Sequence, residues 1–280
     1  MKRQLLLFLF LFTQINSIFS QVEKKKKLNV VTYVSINGTE KELGSDSLLK
    51  NYVKIEPVSK SIFTTKQKTS VDFVYTDSTG IKKKNGVLKL PIKGGLKTYI
   101  DKSPLDEAKQ EYIYLGQILF LNVYLIEGLY WENLDYKFIS KLNGKEDQSF
   151  SGFPYISQDK KYIITINADP YDTDADFELY KIINGKPKNI IRASFKNWMP
   201  AVDKVKMFWS NDGHLYVPIL SPEAFWKPDG NLTTNTNIYE SAFYNIKATA
   251  ANSVFSKLRA YGSKINILSL IILSFRLNEF

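Results

Sequence analysis

The chain has 280 residues, 44% apolar, 14% aromatic and 24% charged, with 38 Lys and Arg against 28 Asp and Glu for a formal charge of +10. That is enough apolar material for one large or two modest cored domains and too much for an extended disordered chain. The absence of cysteine excludes disulfides, thiolate-held zinc, iron–sulfur clusters and thiol nucleophiles, and a single histidine, His214, is too few for an imidazole-built metal site.

Residues 1–20 are expected to be a secretory signal peptide. Lys2 and Arg3 precede an uncharged apolar run from Leu5 to Phe12, and the chain turns polar at Thr13, Gln14 and Asn16. Cleavage is expected after Ser20, leaving a chain that starts at Gln21. The apolar run is too short to span a bilayer. No cysteine follows it to carry a lipid, so a secreted or periplasmic location is expected. The clusters Lys24 to Lys27 and Lys82 to Lys84 lack interleaved aromatics and a groove-reading helix, so they read as solvated surface and not as a nucleic-acid site.

Residues 21–105 are expected to form an N-terminal β-sandwich-like unit. Short apolar stretches (Leu28 to Ile36, Tyr52 to Val58, Val71 to Tyr75, Leu88 to Ile92) alternate between turn signals such as Asn37-Gly38 and Gly94-Gly95. Period two with such punctuation marks antiparallel strands that bury one face. Ser103-Pro104-Leu105-Asp106-Glu107-Ala108 has the cap, proline and acidic first turn of a short helix, taken as the junction to a second region, 106–246.

That second region contains an internal repeat. Asp135-Tyr136-Lys137-Phe138-Ile139 followed by Asn143-Gly144-Lys145 returns 41 residues on as Asp176-Phe177-Glu178-Leu179-Tyr180 followed by Asn184-Gly185-Lys186. Downstream, Ser157-Gln158-Asp159-Lys160-Lys161 returns as Ser210-Asn211-Asp212-Gly213-His214. Each unit reads as strand, Asn-Gly hairpin, strand, Ser-x-Asp turn, strand, and Asn-Gly favours two-residue hairpins because both positions accept positive φ. In these motifs the chain resembles β-propeller blades of the TolB and WD40-like kind, although the proline of their serine–proline–aspartate–glycine turn is missing from both copies. It also resembles secreted proteins of Bacteroidetes-type bacteria. The resemblance spans about Tyr112 to Leu220 and implies no catalytic residues. A closed propeller needs at least four blades, and the span holds about three. The expected fold is therefore all-β, a sandwich-like unit followed by a partial propeller-like stack of antiparallel sheets. Residues 247–280 form a tail whose apolar run, Ile265 to Phe275, is too short for a membrane-spanning helix.

Three features bear on chemistry. Asp169, Asp172, Asp174 and Asp176 alternate in an acidic stretch suited to a calcium loop, but Phe177 and Ile183 stand where an EF-hand needs glycine and a bidentate carboxylate. Glu127, Glu132 and Asp135 lie near Tyr130 and Trp131, as an acid–base pair beside a sugar platform would. His214 sits within the Ser-x-Asp-Gly turn, where a turn role outweighs a serine triad. Most aromatic side chains are expected in the core, with Trp131 and Trp226 as candidates for a binding surface. The resulting expectation is a non-enzymatic exported protein binding protein or glycan partners at the cell envelope, with no cofactor other than calcium. The alternative is an envelope polysaccharide hydrolase using paired carboxylates.

Overall fold

The computed structural model describes residues 29–36, 39–42, 49–77, 80–102, 108–131, 133–169, 174–196, 199–200, 207–220, 225–226, 229–231 and 242–248. The expected signal peptide, most of the junction helix (103–107) and the apolar tail lie outside them.

The elements run β1 (Asn29–Ile36), β2 (Thr39–Glu42), β3 (Val53–Val58), α1 (Lys60–Gln67), β4 (Ser70–Val71), β5 (Val87–Ile92), β6 (Gly95–Ile100), β7 (Gln110–Ile118), β8 (Val123–Tyr130) and β9 (Asn133–Ser140). They continue with β10 (Glu146–Phe150), β11 (Tyr155–Ile156), β12 (Tyr162–Asp169), β13 (Asp174–Ile183), β14 (Lys186–Lys196), β15 (Met199–Pro200), β16 (Phe208–Ser210), β17 (Leu215–Leu220) and β18 (Ala242–Ala248). The fold is all-β, as expected, and every strand pair among the described residues is antiparallel.

Among the described residues, four sheets stack in sequence. The first is the hairpin β5-β6, and the second is the meander β7 to β10. The third runs β11-β12-β13-β14-β1-β2, and the fourth runs β3-β18-β17-β16-β4 with β15 also paired to β17. Strand alternation supplies a core for each gap. Leu88, Leu90 and Tyr99 meet Tyr124, Ile126 and Ile139 between the first two sheets. Leu125, Phe138 and Phe150 meet Ile156, Ile163 and Tyr180 between the second and third. Ile164, Phe177, Leu179 and Phe195 meet Trp209, Leu215, Val217 and Ile246 between the third and fourth. Period two on β13 thus sends Phe177 and Leu179 one way and Tyr180 the other.

The N-terminal strands do not pair only among themselves. The β1–β2 hairpin extends the third sheet, β3 and β4 edge the fourth, and β5-β6 caps the second. Segment 72–75 then crosses back to the second sheet, where Tyr75 and Gln117 exchange backbone hydrogen bonds.

Both halves of the repeat occupy equivalent hairpins, β9–β10 and β13–β14. Their turns differ. Asn184 (φ 52°) and Gly185 (φ 74°) form the expected two-residue turn, whereas only Gly144 (φ 69°) is left-handed in the first copy, and the connection widens to 141–145. The two Ser-x-Asp turns match closely. Lys160 and Gly213 each donate a backbone bond to the leading serine's carbonyl, and Lys161 and His214 each donate to the aspartate's Oδ1. The one α-helix among the described residues, α1, has no counterpart in the elements expected from the sequence. Ser59 Oγ accepts from Ile62 N–H at its start, and Phe63 is its single buried residue.

Candidate binding clefts between the second and third sheets

Two adjoining clefts open here, the first between the second and third sheets and the other bounded as well by the fourth sheet and α1, and Leu134 borders both. The first, about 430 Å³, is polar. Glu178 forms its floor and is only 7% exposed. Cross-strand register explains how a carboxylate comes to be buried here, because Thr165 on β12 and Arg192 on β14 flank Glu178 directly. Arg192 Nε donates to Oε1 at 2.8 Å, while Tyr180 OH, Thr165 Oγ1 and Ser151 Oγ donate to Oε2 at 2.8, 3.1 and 3.3 Å. Four donors satisfy a charge that would otherwise be costly to desolvate. Burial and the adjacent Glu178 charge raise the Tyr180 hydroxyl pKa, so this group stays a donor.

Asp135 enters the same cleft from β9. Its Oδ1 accepts from Tyr130 OH at 3.3 Å, and its Oδ2 accepts from Ser149 Oγ and Lys137 Nζ, both at 3.1 Å. Burial pulls the Lys137 pKa down, but Tyr130, Asp135 and Glu146 outweigh it and hold the ammonium charged. Asp176, exposed on β13, lines the same space, so the two repeat-equivalent aspartates face one cleft.

The second cleft, about 650 Å³, is aromatic. Its walls include Phe73, Tyr136, Phe153, Tyr155 and Trp209, with Gln67, Asp72 and Asn167 among the polar groups. Phe153 packs against Tyr155 at 4.9 Å and against Tyr136 edge to face at 5.6 Å. Trp209 Nε1 donates to the Tyr155 carbonyl at 2.9 Å and ties the fourth sheet to the third. Burial and the Asp72 charge push the Tyr155 pKa up to about 12.

Apart from Asp135 and Asp176, which share the first cleft, the described residues singled out from sequence are dispersed. Asp172 and Glu132 lie outside the described residues. Asp169 and Asp174 are backbone partners at the ends of β12 and β13, and Asp176 lies opposite Asn167. Glu127 is opposite Tyr136 in the β8–β9 ladder, and burial followed by the Glu127 carboxylate raises the Tyr136 pKa. Trp131 is 51% exposed at the β8–β9 connection, and Trp226 is half-buried. His214 has its turn role. Its ring nitrogen is 3.2 Å from the Asp212 carbonyl, and Asp212 also holds Lys66 and Tyr216. Neither cleft was anticipated as a cleft, although the shared 41-residue offset of Asp135 and Asp176 was the available signal. Comparison with protein-family models, curated proteins and solved structures finds no match.

Proposed function

We propose that this chain is a secreted or periplasmic, non-enzymatic β-repeat protein that binds glycan or protein partners at the cell envelope through the clefts between its second and third sheets. The observation carrying this reading is the aromatic cleft, with ring faces on its walls and Gln67, Asp72 and Asn167 beside them. Apolar rings with a few placed polar groups suit a ligand that has both C–H faces and hydroxyls, which favours a glycan. The four-stranded meanders and the paired Ser-x-Asp turns support the propeller-like description. The test is capture of envelope glycans on the chain from Gln21, with Phe153→Ala expected to weaken the captured glycan at least about tenfold while the fold persists. Unchanged affinity in that variant would remove the cleft from the binding site.

The hydrolase reading has one observation in its favour, that Asp135 and Asp176 line one cleft. Against it, Asp135 is already engaged by Lys137, Ser149 and Tyr130. On the binding reading, incubation with envelope polysaccharide releases no new reducing ends. Release abolished by Asp135→Asn would replace binding with hydrolysis. Calcium held by Asp169, Asp172, Asp174 and Asp176 is a separate proposal. It requires the melting temperature to rise with calcium and return with chelator.

A further inference from the structure

Five connections meet at one end of the sheet stack: 93–94, 119–122, 141–145, 157–161 and 184–185. Direct contacts link them in a chain. Lys93 N–H donates to the Lys141 carbonyl, Lys141 N–H donates to the Asn122 carbonyl, and Ile182 N–H donates to the Lys161 carbonyl. Lys160 Nζ lies 5.0 Å from the Phe120 ring centre and 5.3 Å from that of Phe73, joining the third sheet's turn to the second's. At or beside the tips of these turns, Leu119, Leu142 and Ile183 are exposed by 63, 59 and 44%.

The charge around these tips is mainly positive. Lys93, Lys141, Lys145, Lys160, Lys161 and Lys186 belong to or flank the five connections, against two acids, Glu146 and Asp159, the latter paired with Lys161 at 3.6 Å. We propose that this end of the stack is a docking surface for an anionic lipid bilayer, with Leu119, Leu142 and Ile183 entering the headgroup–acyl boundary and the lysines held at the lipid phosphates. This goes beyond the cleft reading and does not rest on it.

The arrangement selects lipid over a protein partner. The cores of protein interfaces are contiguous, and lysine is depleted from them. Here Leu119 and Leu142 sit on two separate turns of the second sheet and Ile183 on the third, sheets whose planes stack about 10 Å apart, with Lys141 beside Leu142 and Lys160 reaching from the third sheet's turn to Phe120 of the second's. A bilayer interface accepts isolated apolar points and diffuse positive charge together, because each side chain inserts independently and anionic headgroups supply a continuous counter-surface. Lysine stems add apolar reach while their ammonium groups stay at the phosphates.

The experiment is co-sedimentation of the chain from Gln21 with phosphatidylcholine vesicles, with and without phosphatidylglycerol. Binding is expected only with phosphatidylglycerol, and it should disappear near 1 M salt, where the screening length falls to about 3 Å. The combined variant Leu119→Ser, Leu142→Ser, Ile183→Ser should bind at least about tenfold more weakly, and Lys145→Glu with Lys186→Glu should abolish binding. All five positions are exposed, so circular dichroism should match the unsubstituted chain, and Ile62→Ser on α1 should bind vesicles normally. Failure of the unsubstituted chain to bind anionic vesicles overturns the proposal, as does undiminished binding by the serine variant. Tip-dependent capture of an envelope protein without vesicle binding overturns it in favour of a protein partner. Phe153→Ala does not touch this surface, so the two readings fail separately.

Discussion

Gly128 lies opposite Asp135 in the β8–β9 ladder, and a β-carbon built there would stand 2.5 Å from both Asp135 Oδ1 and Tyr130 OH. Space, not backbone conformation, requires the glycine. Gly128→Ala is expected to lower stability by about 1–3 kcal/mol in urea unfolding and to break the Tyr130–Asp135 bond at the polar cleft. Asp212 makes a different kind of demand. Burial alone would raise its pKa above the ordinary 3.8, but Lys66, Tyr216 and His214 together bring it below. A depressed carboxylate pKa adds stability above its unfolded value and loses it as the pH falls through the folded one. Asp212→Asn should therefore cost about 1–2 kcal/mol near neutral pH, and the difference from the unsubstituted chain should shrink below pH 3.8. A constant difference across an acid titration of urea midpoints would contradict this account.

At the scale of elements, the strands were legible because one-sided burial leaves a period-two trace, as in Leu88 and Leu90 on β5 or Phe177 and Leu179 on β13. The Ser-x-Asp turns were legible for a local reason, since their aspartate bonds the backbone two residues on. Helix α1 was not, because Lys60–Gln67 buries Phe63 alone and contains isoleucine and two threonines, so it carries neither an apolar stripe nor a strong propensity. The clefts were illegible for a third reason. Their walls come from strands of the second, third and fourth sheets, from α1 and from a crossing segment, and a strand's pattern says which residues share a face but not which other sheet that face meets. The turn equivalence gives its own test. Gly213 takes φ 79° where Lys160 takes 58°, so Gly213→Ala should destabilise by about 1–2 kcal/mol, read as a lower melting temperature.

Across the whole molecule, the stack is held gap by gap, and α1 packs on the fourth sheet's outer face, where Phe63 meets Phe208, Tyr216 and Phe243. The β5-β6 hairpin is the smallest layer. A two-stranded hairpin is marginal alone, so its order depends on Leu88, Leu90 and Tyr99 meeting the second sheet and on Tyr124 OH donating to the Pro91 carbonyl. Leu90→Ala should cost about 2–5 kcal/mol, and hydrogen exchange should speed up over residues 87–100 well before the third and fourth sheets respond. Uniform acceleration everywhere would show instead that the layers unfold as one unit. Trp209 gives the opposite end an optical reporter. Its indole is 2% exposed, borders the aromatic cleft and donates to a carbonyl on the neighbouring sheet. Its emission colour therefore registers any parting of those layers and any molecule settling against the ring, so with Trp131, Trp198 and Trp226 replaced by phenylalanine, occupancy can be followed in the unlabelled protein by light alone.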